Sequence, residues 1–308
     1  MERWRGLEAI PSGWGRSVVT IGVFDGVHRG HQQLIAHAVK RGQERGLPTV
    51  LLTFDPHPAE VVHPGSHPAR LTTLRRRADL VAELGVDAFC VLPFTPELAR
   101  TEPKQFAHEV LVEGLHAALV VVGKNFTFGR RAAGDVAMLT EFGHRFGFEV
   151  EGLDLIKDNG ITFSSTYIRS CIDAGDVEAA RVALGRPHRV EGVVVHGDKR
   201  GRALGFPTAN VATEPYTALP ADGVYAGYFV IGGRVLPAAI SVGTNPTFSG
   251  RERVLEAYVL DVSEDFYGFE VAVDFVHRLR GQERFEDPAA LTAAIARDVE
   301  RTRELLGC

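Results

Sequence analysis

The chain has 308 residues, 34 Lys and Arg against 39 Asp and Glu, and a formal net charge of −5. That length suits two ordinary domains, and the charge balance forces no polybasic surface, which disfavours a dedicated nucleic-acid binder. The start, Met1-Glu2-Arg3-Trp4-Arg5-Gly6, lacks the apolar stretch of a secretory signal, and no apolar run approaches the ~20 residues of a membrane span. The cysteines Cys90, Cys171 and Cys308 are odd in number, far apart and without metal-ligand spacing, so a reducing, cytoplasmic setting is expected.

The first half alternates strand-like and helix-like segments. Residues 18–24 read as a strand and 32–45 as a helix, with Leu34, Ile35, Ala38 and Val39 at helical spacing. Residues 49–54 read as a strand and 72–84 as a helix with Thr72 or Thr73 as its N-cap. A strand over 86–92, a helix over 103–115 entered through Pro103, and a buried strand over 117–122 follow. A helix over 135–146 and a strand over 148–155 complete the pattern. Such alternation predicts a Rossmann-like parallel sheet with helices on both faces and ligands outside the carboxyl ends of the strands.

After residue 186 the texture changes to short β-rich runs separated by Gly and Pro: 189–195, 223–231, 234–242, 254–262 and 269–275. Their spacing predicts a small antiparallel barrel or sandwich. Residues 288–306 read as one amphipathic helix with Leu291, Ile295, Val299 and Leu305 near one face. The expected domains are 1–185 and 186–308, divided near Leu184-Gly185-Arg186-Pro187.

Chemistry concentrates at the loops. Gly22-Val23-Phe24-Asp25-Gly26-Val27-His28-Arg29-Gly30-His31 lies where the first strand gives way to a helix. Glycine lets backbone approach a ligand closely, and a helix N-terminus suits phosphate. Histidines at i and i+3 can reach one anion, so this stretch reads as a nucleotide triphosphate site. Thr53-Phe54-Asp55-Pro56-His57-Pro58 makes a stiff turn in which Phe54 could wall an aromatic ligand. In Val122-Gly123-Lys124-Asn125-Phe126-Thr127-Phe128-Gly129, Phe rings can stack and the Asn125 amide can hydrogen-bond a base or flavin. Ser164-Ser165-Thr166-Tyr167-Ile168-Arg169 offers hydroxyls and a charged fork at a helix start.

In the second half, His196-Gly197-Asp198-Lys199-Arg200-Gly201-Arg202-Ala203-Leu204-Gly205-Phe206-Pro207-Thr208-Ala209-Asn210 makes a positive, glycine-rich loop suited to phosphate, although it is no Walker A motif. Thr208 and Asn210 point to one side of an extended segment and offer neutral oxygens of the kind Mg²⁺ accepts beside phosphates and water. Glu256 is the only acid in Val254-Leu255-Glu256-Ala257-Tyr258-Val259-Leu260, so a partly desolvated carboxylate that could act as a general base is expected there.

In order and separation these motifs resemble the bacterial bifunctional riboflavin kinase/FAD synthetase family. The first half is similar to its nucleotidyltransferase domain, whose H-x-G-H-type signature reads His28-Arg29-Gly30-His31. The second half resembles its riboflavin kinase through 197–210, Gly223-Val224-Tyr225-Ala226-Gly227, 241–248, Leu255-Glu256, Phe266-Tyr267-Gly268 and Leu279-Arg280. The resemblance implies a Greek-key barrel that phosphorylates the riboflavin 5′-hydroxyl with ATP, and an α/β domain that transfers AMP from ATP to FMN and releases pyrophosphate. It implies an ATP-phosphate site at Gly22, Phe24, Asp25, Gly26, His28, His31, Asn125, Ser164, Ser165, Thr166 and Arg169, with His28 and His31 catalytic through charge stabilisation. A flavin site is implied at Phe54, Pro56, Pro58 and Phe128. For the kinase it implies nucleotide contacts at Gly197, Lys199, Gly201, Gly205, Thr208 and Asn210, Mg²⁺ on Thr208 and Asn210, and Glu256 as base. One local departure is Ala257-Tyr258, where a Val-His-like pair is the expectation. The expected partners are the small molecules ATP, riboflavin and FMN, with no nucleic acid or membrane, and homo-oligomerisation stays open. A different nucleotidyltransferase and a flavin sensor without catalysis remain competing readings.

Overall fold

The computed structural model describes residues 1–154, 157–158, 161–197, 205–247, 250–285 and 287–308. The chain divides into two compact units, one of Met1–Pro68 with Thr73–Ser164, the other of Ala69–Thr72 with Ser165–Cys308.

The first unit is built on six parallel strands: β1 (Glu2–Arg5), β2 (Ser17–Ile21), β3 (Thr49–Asp55), β4 (Ala88–Pro93), β5 (Ala117–Gly123) and β6 (Glu149–Leu153). Their order is β1-β4-β3-β2-β5-β6. The connecting helices are α1 (Arg29–Arg45), α2 (Pro58–Val62), α3 (Leu74–Glu83), α4 (Pro103–Phe106) and α5 (Val136–Phe146). Both sheet faces are covered. Val19, Ile21, Val50 and Leu52 pack with Leu111, Leu139 and Phe148 on one side, while Leu51, Phe89 and Val91 meet Ile35, Ala78 and Val81 on the other. That explains the near-continuous apolar runs of β2 to β5.

In the first unit β2, the helix after β4 and β1 differ from the sequence expectation. β2 stops at Ile21, because residues 22–28 form a turn with positive φ at Phe24, Gly26 and Val27. The helix expected over 103–115 begins as α4 and widens into π-helical turns over Ala107–Gly114. β1 was not expected at all. It is an edge strand of charged residues in which Trp4 alone is buried, edge-on to Trp14 at 4.6 Å.

A two-residue ribbon, β7 (Lys157–Asp158) with β8 (Ile161–Thr162), ends the first unit, and the second unit begins with α6 (Ser165–Ala174) and α7 (Val177–Leu184). Then come β9 (His188–Val195), β10 (Ala209–Thr213), β11 (Gly223–Ile231), β12 (Arg234–Thr247), β13 (Gly250–Val259), β14 (Glu270–Gly281) and α8 (Pro288–Leu306). The six strands close into an antiparallel barrel in the order β10-β13-β12-β11-β14-β9. β14 returns to lie beside β11, the first strand of the β11-β12-β13 meander, which is the Greek-key arrangement. Val194, Val211, Tyr225, Phe229, Ile240, Leu255 and Phe275 are among the buried side chains of the barrel. Arg280 ties β14 to α8 through Asp298, with Nη2 to Oδ2 at 2.8 Å. No helix among the described residues is long and apolar enough to cross a membrane.

Candidate functional site

In the first sheet, connections lead from β2 outward through β3 and β4 on one side and through β5 and β6 on the other. The order therefore reverses between β2 and β5, where open α/β sheets bind ligands. The 22–28 turn leaves β2 at this point, and the Asn125 turn, closed by Phe126 N–H to the Gly123 carbonyl at 2.9 Å, leaves β5. Asn125 is exposed there.

His28 is the N-cap of α1, and its Nδ1 accepts the His31 backbone N–H at 3.3 Å. The two imidazoles stack at 3.6 Å between centroids, and Phe24 meets His31 edge-on at 5.1 Å. A Cβ at Gly30 would stand 3.1 Å from the His28 ring, so a side chain there would press that ring by a few tenths of an ångström. The buried Nδ1 of His31 has no hydrogen-bond partner among the described residues. The turn itself carries strain, with β-branched Val27 at φ 39. Arg29 lies over the Phe163 ring at 5.3 Å, so residues 163–164 run beside the start of α1. Ser165, Thr166 and Arg169 lie on α6 in the other unit, and Arg169 Nε donates to the Ala69 carbonyl at 2.6 Å.

Two of the residues expected at phosphate have buried side chains. Phe24 and Asp25 are each 1% exposed, the ring packed on His31 and the carboxylate turned to Arg77. Phe128, expected at the flavin, is likewise in the core, stacked on Phe126 at 5.6 Å with Gly134 tight against its ring. Phe54 is half-buried at the carboxyl end of β3, edge-on to Phe94, with Pro56 and Pro58 just beyond it.

Burial, then the neighbouring His28, then Arg77, hold the His31 imidazole well below its ordinary value of 6.5. The native state therefore favours neutral His31. Above the unfolded value both states are neutral and no penalty exists. As pH falls below about 6.5, the unfolded chain takes up a proton that the folded chain refuses, which costs up to about 1.4 kcal/mol per pH unit until the folded value is passed. Both tryptophans, Trp4 and Trp14, lie in the first unit, so their fluorescence follows its unfolding. Urea midpoints should fall more between pH 7.5 and 5.5 in the wild type than in His31→Gln. Equal falls would remove His31 as the cause.

The barrel gathers a second group on its outer face. Along β13, Leu255, Ala257 and Val259 turn into the core, and Glu256 alternates outward. Glu256 stands opposite Ser241 of β12 and Asn210 of β10, giving a polar row across three strands. Thr208 donates its hydroxyl to Glu256 Oε2 at 3.1 Å. Two cavities flank this row, one of about 350 Å³ bordered by Thr208, Asp265 and Tyr267, the other of about 750 Å³ bordered by Tyr216, Arg253 and Glu256. Gly197 and Asn210 border both. His196 and Tyr267 pack ring on ring at 3.9 Å. Phe206 meets Tyr258 edge-on at 5.3 Å, and both pack on Ala239, Leu260 and Val299. The unexpected Tyr258 thus anchors the segment that leads into Thr208.

Gly205 is exposed at φ 87, and Lys199 and Gly201 lie outside the described residues. A methyl group at Gly197 would overlap the Asn210 amide. Gly197→Ala should therefore slow the barrel's reaction by about 10- to 100-fold, the cost of roughly 1 Å of misplacement, without affecting the first unit's chemistry. An unchanged rate would show that this approach is not needed.

Thr208, Asn210 and Glu256 offer only hard oxygens and an amide nitrogen. Among the described residues no group of three or more His, Cys, Asp or Glu could hold a metal ion. This donor set fits Mg²⁺ held largely by nucleotide phosphates and water, not a protein-only cage. Arg77 was missed by sequence reasoning, and Ser241 stood there only as the first residue of the 241–248 segment.

The FAD synthetase family matches residues 10–167, and the riboflavin kinase family matches residues 184–306. A bifunctional riboflavin kinase/FMN adenylyltransferase of Escherichia coli is 37% identical over 291 residues, covering 94% of this chain and 93% of its own. The chain belongs to the bifunctional riboflavin kinase/FMN adenylyltransferase family. The member from Pseudomonas fluorescens is 38% identical, covering 99% of this chain and 98% of its own, and that from Bacillus subtilis is 34% identical, covering 92% and 90%. A crystal structure described as a macrolide-efflux protein from Streptococcus pneumoniae has a TM-score of 0.89 and 32% identity, covering 98% of this chain and 99% of that one. Apart from Arg169, the two groups of residues fall one within each family match.

Proposed function

We propose that this bifunctional riboflavin kinase/FMN adenylyltransferase divides its activities between residues 1–185, which adenylylate FMN, and residues 186–308, which phosphorylate riboflavin. The observation that carries the kinase assignment is the Thr208–Glu256 hydrogen bond beside Asn210, at the seam of two cavities. A nucleotide in one cavity and an alcohol in the other would meet at this seam. Glu256 takes the proton of the ribityl 5′-hydroxyl as its oxygen bonds to the γ-phosphorus, and ADP leaves with the electrons of the broken P–O bond. Thr208 and Asn210 hold phosphate oxygens and would hold Mg²⁺, which when bound neutralises charge on those oxygens.

In the first unit, the stacked histidines and the N–H groups opening α1 receive the ATP phosphates. An FMN phosphate oxygen attacks the α-phosphorus, and pyrophosphate departs. The nucleophile is already an anion, so no base is needed, and positioning and charge neutralisation carry the step. Asn125 supports the nucleotide at the neighbouring strand end, Ser164 adds a hydroxyl to the phosphate contacts, and Phe54, Pro56 and Pro58 wall the flavin. A cytoplasmic location accords with ATP as substrate and with three free cysteines, of which Cys90 is buried with its thiol pushed up to about 12.

The test is incubation of the full chain with riboflavin and Mg·ATP, with flavins resolved by chromatography. FMN should appear first and FAD after it, and chelation of Mg²⁺ should stop both. Absence of both products sinks the proposal, and FAD formed only from added FMN sinks the kinase half.

A further inference from the structure

Arg77 is one of three consecutive arginines on α3, yet it is 5% exposed and shares the buried face of the helix with Ala78, Leu80 and Val81. Its Nη2 is 3.6 Å from Asp25 Oδ1, and its Nη1 donates to Thr53 Oγ1 at 3.4 Å. Thr53 in turn donates its hydroxyl to the Val23 carbonyl at 3.0 Å. One guanidinium thus reaches both Asp25 inside the 22–28 turn and, through Thr53, the backbone at its start. Burying two charges costs several kcal/mol per ion, and an apolar pair of the same volume commonly packs as well or better. The Arg77 charge contributes to holding His31 neutral.

We propose that Arg77 is a positioning residue for adenylyl transfer: it braces the 22–28 turn through Asp25 and Thr53 and sets a buried positive charge behind the histidines that receive the ATP phosphates. The proposal rests on the assignment of His28 and His31 to phosphate. A triphosphate gains from that charge, and pyrophosphate leaving from the same place gains likewise.

The test uses the full chain, with FAD formation from FMN and FMN formation from riboflavin measured on one preparation and folding of the first unit followed by tryptophan fluorescence. Arg77→Gln should lower kcat for FAD formation by about 10-fold or more, raise the KM for ATP and weaken product inhibition by pyrophosphate, with riboflavin phosphorylation unchanged. Arg77→Lys, which keeps the charge, should recover to within about three-fold. The double variant Asp25→Asn/Arg77→Met removes both charges and should fold but remain slow. Full FAD synthesis by the folded double variant overturns the proposal, as does loss of cooperative unfolding in Arg77→Gln without rescue by Lys. If His28→Ala keeps FAD synthesis, the phosphate assignment itself fails. If His28→Ala loses it and Arg77→Gln keeps it, only the role of Arg77 fails.

Discussion

Glu256→Gln should cut riboflavin phosphorylation by about 100- to 10,000-fold, the usual contribution of a positioned general base, while FMN adenylylation by the same preparation stays at the wild-type rate. The amide is nearly isosteric, and its carbonyl oxygen can still accept the Thr208 hydroxyl, so the 3.1 Å contact survives the change. What disappears is an oxygen able to take the proton of a primary alcohol. The loss should fall on kcat, with the KM for riboflavin little changed, because the proton moves only in the transition state. Glu256→Asp keeps the carboxylate but withdraws it by one methylene, and an intermediate rate is expected. A Glu256→Gln enzyme that retained a tenth or more of its phosphorylation rate would assign the proton to another acceptor. The intermediate rate of Glu256→Asp guards against a trivial cause, since a misfolded barrel would lose phosphorylation in both variants.

Periodicity carried most of the architecture. β2 and β3 are apolar because both of their faces are covered, and α1 shows its buried stripe at Ile35 and Ala38. β1 was hidden because Glu2, Arg3 and Arg5 face solvent at an edge and only Trp4 reports burial. β10 was hidden behind the loop motif before it, and β12 runs on to Thr247, past the expected end at residue 242. The order of the first sheet is fixed by which neighbour each strand finds across helical crossovers, and no local pattern encodes that.

The site was legible at residues whose types are unusual in context, such as paired histidines after a strand or a lone acid in an apolar run. It was less legible where burial decides the role. Phe126 and Phe128 look alike in sequence, but Gly134 admits the Phe128 ring into the core. Arg77 reads as one of three solvated arginines, although it falls three residues after Leu74 and four before Val81, in phase with the buried stripe. Asp25 looks like a ligand because it sits in the motif, and only the position of Arg77 shows that its charge is already engaged.

His28→Asn should lower FAD formation from FMN by about 100- to 1,000-fold, the typical effect of removing one preorganised donor, with riboflavin phosphorylation unaffected. Asparagine is the informative replacement because His28 has two duties. Its Nδ1 caps α1, and loss of a cap costs about 1 kcal/mol, so His28→Ala combines an activity effect with a local loss of helix stability. Asn restores a good cap while removing the ring that stacks on His31 and reaches toward phosphate. With Nδ1 held by the cap, the phosphate contact falls to Nε2, which no asparagine atom can occupy from that backbone position. The urea midpoint read from Trp4 and Trp14 should therefore be near wild type in His28→Asn and lower in His28→Ala, with FAD synthesis lost in both. Activity that followed stability, high in Asn and low in Ala, would make His28 a helix cap and move the phosphate contact elsewhere on the turn.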